Sequence, residues 1–144
     1  MEEALLGHKA VAFAGAIGQP DQRAGELPCV YVELVDGASV SPNELDQFCV
    51  DTVKEKAALP KHVEILDELP KTAVGKVFKP DLRKRAIVRV FSETLASSGI
   101  NASITSVDDD KKRGLVANIS SNEDDDTINQ VLGDFTIPWQ RANN

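Results

Sequence analysis

The chain has 144 residues, with 16 Lys and Arg against 23 Asp and Glu and a net charge of −7. That length holds one compact domain or two very small ones. The acidic balance argues against general nucleic-acid binding, and no apolar run approaches the ~18 residues of a membrane span. The N-terminus lacks a basic-then-apolar secretory signal, so the expected compartment is the cytoplasm. Two cysteines, Cys29 and Cys49, make no disulfide framework and read as buried small hydrophobes. His8 and His62 lie far apart and no Cys/His group has ligand spacing, so no metal site is expected.

Residues 2–8 read as the tail of a helix. From Ala10 to Ile17, Val11, Phe13, Gly15 and Ile17 alternate with Ala10, Ala12, Ala14 and Ala16. Two apolar faces, one of them small, predict a central strand with a helix pressed closely on it. Gly18–Glu26 reads as a turn-rich loop. Val30, Val32 and Leu34 then alternate with Cys29, Tyr31 and Glu33 as a half-buried strand. Ser41-Pro42-Asn43-Glu44 is a capping box. Leu45, Phe48, Cys49 and Val53 follow at helical spacing and predict an amphipathic helix over 42–57. Pro60 ends that region, and Val63–Leu66 is a short strand.

The next stretch, Leu69-Pro70-Lys71-Thr72-Ala73-Val74-Gly75-Lys76-Val77-Phe78-Lys79, is a loop held between Pro70 and Pro80. Proline fixes φ and glycine reaches angles closed to other residues, so Pro70, Thr72 and Gly75 belong to a loop that presents Lys76 in a defined direction. A lysine ammonium is a mobile point charge with three donors, suited to bridging phosphate and carboxylate oxygens. A phosphate-cradling P-loop is excluded, because it needs a glycine five residues before the Gly-Lys and a Ser/Thr after it. Those positions hold Pro70 and Val77.

After Pro80 the rows Leu82, Ala86, Val90 and Ile87, Phe91, Leu95 predict a helix to about Ser98, stopped by Gly99. Residues 100–138 read as strand, acidic turn, strand, helix, strand. Ile100, Ala102 and Ile104 alternate, Asp108 to Gly114 turns the chain, and Leu115, Ala117 and Ile119 alternate again. A short helix over Thr127–Leu132 follows Asp124–Asp126, where negative charge suits a helix start, and Phe135–Pro138 is a last strand. Residues 139–144 are expected to fray. Residues 71–85 concentrate Lys71, Lys76, Lys79, Arg83, Lys84 and Arg85 against one acid, Asp81. Two readings fit this cluster: attraction of nucleotide or CoA phosphates, or a solvated helix face.

Leu69 to Val77 resembles the last signature motif of the adenylate-forming enzymes: acyl-CoA synthetases, peptide-synthetase adenylation domains and luciferases. Glu2–Gly18 is similar to the helix and first strand of that family's small C-terminal domain, and Leu59-Pro60-Lys61-His62-Val63 to the motif preceding the lysine loop. The likeness covers residues 2–86 in the right order.

The resemblance implies an α+β fold, a small mixed sheet with packed helices over residues 1–99. The family pattern ends near there, leaving residues 100–144 as a strand-strand-helix-strand extension docked on the first part. It implies that Lys76 contacts the acyl carboxylate and the α-phosphate of ATP during adenylation, with Lys71, Lys79 and Arg83 as candidates for phosphate or CoA contacts. The small domain would rotate before thioester formation, and the lysine is an acetylation target in some relatives. The closest wording is that of fatty-acyl-CoA synthetases. ATP, Mg2+ and CoA would serve the full enzyme, with none bound by this piece alone. Its main partner would be the missing N-terminal large domain, with Met1 supplied by cloning and the piece inactive by itself. The alternative is a stand-alone binding or regulatory module in which Lys76 is merely exposed.

Overall fold

The computed structural model describes residues 1–142. In chain order the elements are α1 (Glu2–Leu6), β1 (Val11–Asp21), β2 (Gly25–Leu34), α2 (Pro42–Thr52), β3 (His62–Ile65), α3 (Lys79–Ser97), β4 (Ala102–Asp110), β5 (Gly114–Ser121), α4 (Asp125–Leu132) and β6 (Trp139–Arg141). The class is mixed α+β, with two three-stranded sheets in the orders β1-β2-β3 and β4-β5-β6. By contacts the chain divides into two compact units. The first is Met1–Gly18 with Leu27–Arg83, and the second is Gln19–Glu26 with the residues from Lys84 onward.

In the first unit, β2 and β3 run parallel, with Cys29 opposite His62 and Val32 opposite Ile65. Parallel neighbours need a crossover, and α2 supplies it. Its capping box forms as read: the Glu44 N–H donates to Ser41 Oγ at 3.2 Å, and the Ser41 N–H to Glu44 Oε2 at 3.3 Å. Leu45 and Cys49 turn inward onto Leu5, Val11, Ala14, Val30 and Val32. The helix stops at Thr52 rather than 57, and a separate 3-10 turn covers Lys56–Ala58. Thr52 and Val53 are β-branched and poor helix formers. The next apolar anchor, Leu59, lies too far on to hold the exposed Lys54–Lys56 in register.

Two expectations for β1 are corrected. It is an edge strand, not a central one, because apolar faces report what covers a strand from above and below and say nothing of its flanks. Gly18–Glu26 is not a loop. β1 runs to Asp21, and only Gln22–Ala24 turn. An edge strand tolerates Pro20, since half of its N–H groups need no ladder partner. Asp21 Oδ2 accepts from the Arg23 and Ala24 N–H groups at 3.0 and 2.8 Å, and Gly25 leaves the turn at φ +81°.

The same turn joins β4 to β5. β4 continues through Asp108–Asp110, and only Lys111–Arg113 turn. Asp110 Oδ1 accepts from the Lys112 and Arg113 N–H groups at 2.8 and 3.0 Å, and Gly114 follows at φ +74°. β5 then pairs antiparallel with β4 and parallel with β6. Ile87, Phe91 and Leu95 of α3 pack with Ile100, Val107, Ala117, Ile119, Ile128 and Leu132 in one core. A Schellman motif ends α3: the Ile100 N–H reaches Leu95 O at 2.9 Å, the Gly99 N–H reaches Ala96 O at 3.1 Å, and Gly99 sits at φ +73°.

α4 begins two residues before the expected Thr127, with Asp124 Oδ1 accepting the Thr127 N–H at 2.8 Å. The last strand is Trp139–Arg141, not Phe135–Pro138. Pro138 has no N–H for a ladder and offers only its carbonyl, to the Ala117 N–H at 3.0 Å. Phe135 is apolar for another reason, its ring lying 4.9 Å from that of Phe91. Residues 139–142 are therefore ordered by pairing with β5 instead of fraying; Asn143 and Asn144 lie outside the described residues.

Candidate functional site

Lys76 stands at the tip of a short hairpin. Lys71 and Val77 form an antiparallel bridge, and the Phe78 N–H donates to Pro70 O at 2.7 Å. Inside it, the Gly75 N–H reaches Thr72 O at 3.0 Å and the Thr72 N–H reaches Lys76 O at 2.7 Å. This is a type I turn followed by a one-residue bulge, the bulge residue taking a left-handed conformation. Gly75 fills that place at φ +84°. A Cβ there would meet nothing within 4 Å, so the glycine is required for its backbone angle and not for room. Thr72 Oγ1 accepts the Lys76 N–H at 3.3 Å, fixing the residue that carries the charge.

The base of the hairpin is anchored on three sides. Leu69 is buried. Val77 packs where β1 carries Gly15, at which a Cβ would come within 3.0 Å of Val77 Cγ1 and 2.6 Å of Leu82 Cδ1. Glu33 on β2 takes the Leu69 N–H at 2.8 Å and the Lys71 ammonium at 2.7 Å, both on Oε1. Burial pushes the Glu33 carboxyl up, but the Lys71 hydrogen bond, the Leu69 N–H and the Lys71 charge outweigh it and hold it below its ordinary value. The Lys71 ammonium also lies 4.3 Å from the centroid of the Phe13 ring on β1.

Pro70, Thr72, Gly75 and Lys76 thus share one hairpin. Lys71 lies at its base with its side chain turned inward, 19% exposed. Lys79 opens α3 and pairs with Glu2 Oε1 at 2.6 Å, while Arg83 sits one turn further and is exposed. Among the described residues Lys76 is exposed and no carboxylate pairs with its ammonium. It is flanked by two apolar side chains that also face outward, Val74 at 80% and Phe78 at 40% exposure.

Cavities of about 340 and 290 Å³ open elsewhere. The first lies beside Pro42, Asp46 and His62, the second beside Gln19, Arg89 and Phe135, and neither is lined by a hairpin residue. The hairpin projects its cation from an exposed tip. Among the described residues no group of three His, Cys, Asp or Glu side chains is placed to hold a metal ion. No helix among them is long and apolar enough to cross a membrane.

Sequence reasoning did not single out Glu33 or Gly15. Glu33 carried one signal, a lone carboxylate inside the apolar run Cys29–Leu34, and its contacts lie 36 and 38 residues away. Gly15 carried none beyond its place in the alternation.

Residues 1–76 match the AMP-binding enzyme C-terminal domain. The marinolic acid–CoA ligase of Pseudoalteromonas sp. (strain SANK 73390) is 40% identical over 119 residues, 81% of this chain and 18% of the ligase. The acyl-CoA ligase lcsD of Purpureocillium lilacinum is 33% identical over 135 residues, 88% of this chain and 35% of that one. The crystal structure of an acyl-CoA synthetase from Brucella canis superposes with a TM-score of 0.53 at 34% identity, covering 59% of this chain and 16% of the synthetase. The chain is thus similar to a minor part of each. Alignments covering 81% and 88% of 144 residues necessarily cross residue 100, so both ligases share sequence with the second unit as well.

Proposed function

The chain belongs to the AMP-binding enzyme C-terminal domain family, and from that premise we propose that it works as the C-terminal domain of an ATP-dependent acyl-CoA ligase. The reaction is carboxylic acid + ATP + CoA to acyl-CoA + AMP + pyrophosphate, with a fatty acid as the substrate. Residues 1–99 are the catalytic small domain and 100–144 an appended piece of the same enzyme, a reading supported by the two relatives whose likeness crosses that boundary. The observation that carries the reading is the Lys76 hairpin, which holds an exposed ammonium by its backbone and leaves it without an acidic partner.

In the first step a carboxylate oxygen attacks the α-phosphorus of ATP and pyrophosphate leaves. Two anions must come within bonding distance. A cation between them offsets their repulsion and stabilises the charge that develops in the transition state. Lys76 is that cation. The rest of the site, including the ATP and acyl pockets and the Mg2+ ligands, is supplied by a large domain. Val74 and Phe78 give the hairpin an apolar edge on which to seat against it. Arg83 is the candidate for a CoA or ATP phosphate contact. Lys71 and Lys79 would first have to leave Glu33 and Glu2.

The test is ATP–pyrophosphate exchange by the complete enzyme with a panel of aliphatic and aromatic carboxylic acids, wild type beside Lys76→Ala. Exchange should depend on an acid and fall about a hundredfold in Lys76→Ala, the ~3 kcal/mol that removal of one such donor costs. Thioester formation from a supplied acyl-adenylate should persist. Exchange indifferent to Lys76 would leave a binding module with an exposed lysine.

A further inference from the structure

A hairpin that projects from a surface can only be aimed from its base. From Thr72 to Lys76 the hydrogen bonds of the tip are all internal, linking Thr72, Gly75 and Lys76 to one another. Among the described residues no hydrogen bond or ion pair ties the tip to the rest of the fold. The entering limb, Leu69–Lys71, is held by side chains from the sheet, and two of its polar ties end on one atom. Glu33 Oε1 accepts the backbone N–H of Leu69 at 2.8 Å and the ammonium of Lys71 at 2.7 Å. The Lys71 ammonium is also 3.4 Å from Leu69 O, so carboxylate, ammonium and peptide close a small ring.

We propose that Glu33 is a positioning residue for Lys76: its carboxylate clamps Leu69 and Lys71 to β2 and so sets the direction in which the hairpin carries the reactive ammonium. The inference rests on the adenylation role of Lys76. Charge-assisted hydrogen bonds of this kind are about twice as strong as neutral ones. The pair is mostly sheltered, at 19% and 16% exposure for Lys71 and Glu33, so solvent weakens it less than a surface pair. Reaction geometry is sensitive to small displacements: misplacing a group by about 1 Å can cost on the order of a hundredfold in rate. Lys71 serves here as the counter-ion of the clamp, which also explains why a lysine at the hairpin base faces inward.

Two experiments test this. In the present chain, amide hydrogen exchange is compared for wild type, Glu33→Gln and Glu33→Ala. Exchange at Leu69 should rise at least about tenfold in Glu33→Ala, while Leu66, whose N–H is bonded to Val32 O in the sheet, keeps its protection. An unchanged Leu69 amide overturns the clamp, whatever the enzyme does.

In the complete ligase, the two half-reactions are measured for Glu33→Ala, Glu33→Gln, Lys76→Ala and the Glu33→Ala/Lys76→Ala double variant. Pyrophosphate exchange should fall about tenfold in Glu33→Ala and less in Glu33→Gln, which keeps an acceptor oxygen. Thioester formation from acyl-adenylate should stay within about twofold, and the double variant should be no slower than Lys76→Ala alone, because residues acting as a unit are not additive. Lys76→Ala without effect sinks the adenylation reading of the site and leaves the exchange result standing. A deficit in Lys76→Ala with normal Glu33→Ala sinks the positioning role alone. A parallel loss of both half-reactions in Glu33→Ala marks a general structural defect and also overturns the proposal.

Discussion

The chain runs twice through one order of elements, α1-β1-β2-α2-β3 and then α3-β4-β5-α4-β6. Each passage has a hairpin closed by Asp-x-x-x-Gly, a capped helix and a third strand parallel to the second. The first adds what the described part of the second does not show after its third strand: a further hairpin, carrying Lys76. At Asp21 and Asp110 a carboxylate closes the turn by accepting two backbone N–H groups. At Thr72 the turn is closed by backbone bonds and one hydroxyl. An aspartate there would place a negative charge beside the ammonium that the proposed adenylation role sets between two anions. The turn chemistry is compatible with the site because it is neutral.

The largest effect that sharpens this comparison is on the scaffold. Phe91→Ala, at a fully buried position of the second unit, should cost ~3–5 kcal/mol by denaturant titration. Amide protection should fall most at Ala117 and Ile119. In the first unit, Gly15→Val should cost ~1–3 kcal/mol through overpacking against Leu82 and Val77, and because Val77 forms the hairpin base it should slow pyrophosphate exchange too.

Smaller and more telling is a matched pair. Gly75→Ala and Gly114→Ala both force a side chain into positive φ with open space around it. Each should lose ~1–2 kcal/mol, yet only Gly75→Ala should lower pyrophosphate exchange, and Gly75→Asn should recover part of it. Equal effects on exchange would erase the distinction between the two tips.

The smallest effect is on pH dependence. The Glu33 carboxyl is held below its ordinary value in the folded chain, so its contribution to stability is complete above the unfolded carboxylate range and is lost as pH falls through the folded value. Thermal melts from neutral pH down to about pH 3 should show a shallower acid limb for Glu33→Gln. Asp110 is lowered as well, by the Lys112 and Arg113 N–H groups and then by the Arg113 side chain, and at 36% exposure it is more open to solvent than Glu33. Its replacement should change that limb less. A larger change at Asp110 than at Glu33 would reverse the ranking of sheltered and exposed clamps.

Much of the fold was legible because it rests on local chemistry. The Ser41 capping box, the alternation along β2 and β5, the stop at Gly99 and the Pro70–Lys76 loop each depend on residues within a few positions of one another. The errors share a different origin. Gln19, Pro20 and Asp21 look like loop residues by composition, yet they extend an edge strand. Phe135 and Ile137 alternate like a strand and instead pack on the second core. In each case the type of residue was read correctly, and what it faced was not.

Dihedral preference and side-chain period are properties of the chain, and they made the order of strands and helices, the stop at Gly99 and the Gly75 loop readable, though not the bounds of the first and last strands. Only the tertiary structure decided that β1 lies at a sheet edge, that Lys71 turns inward and that Glu33 holds the hairpin from 38 positions away. Such pairings depend on which surfaces meet once the chain has collapsed, and no local pattern encodes the partner of a lone carboxylate in a strand.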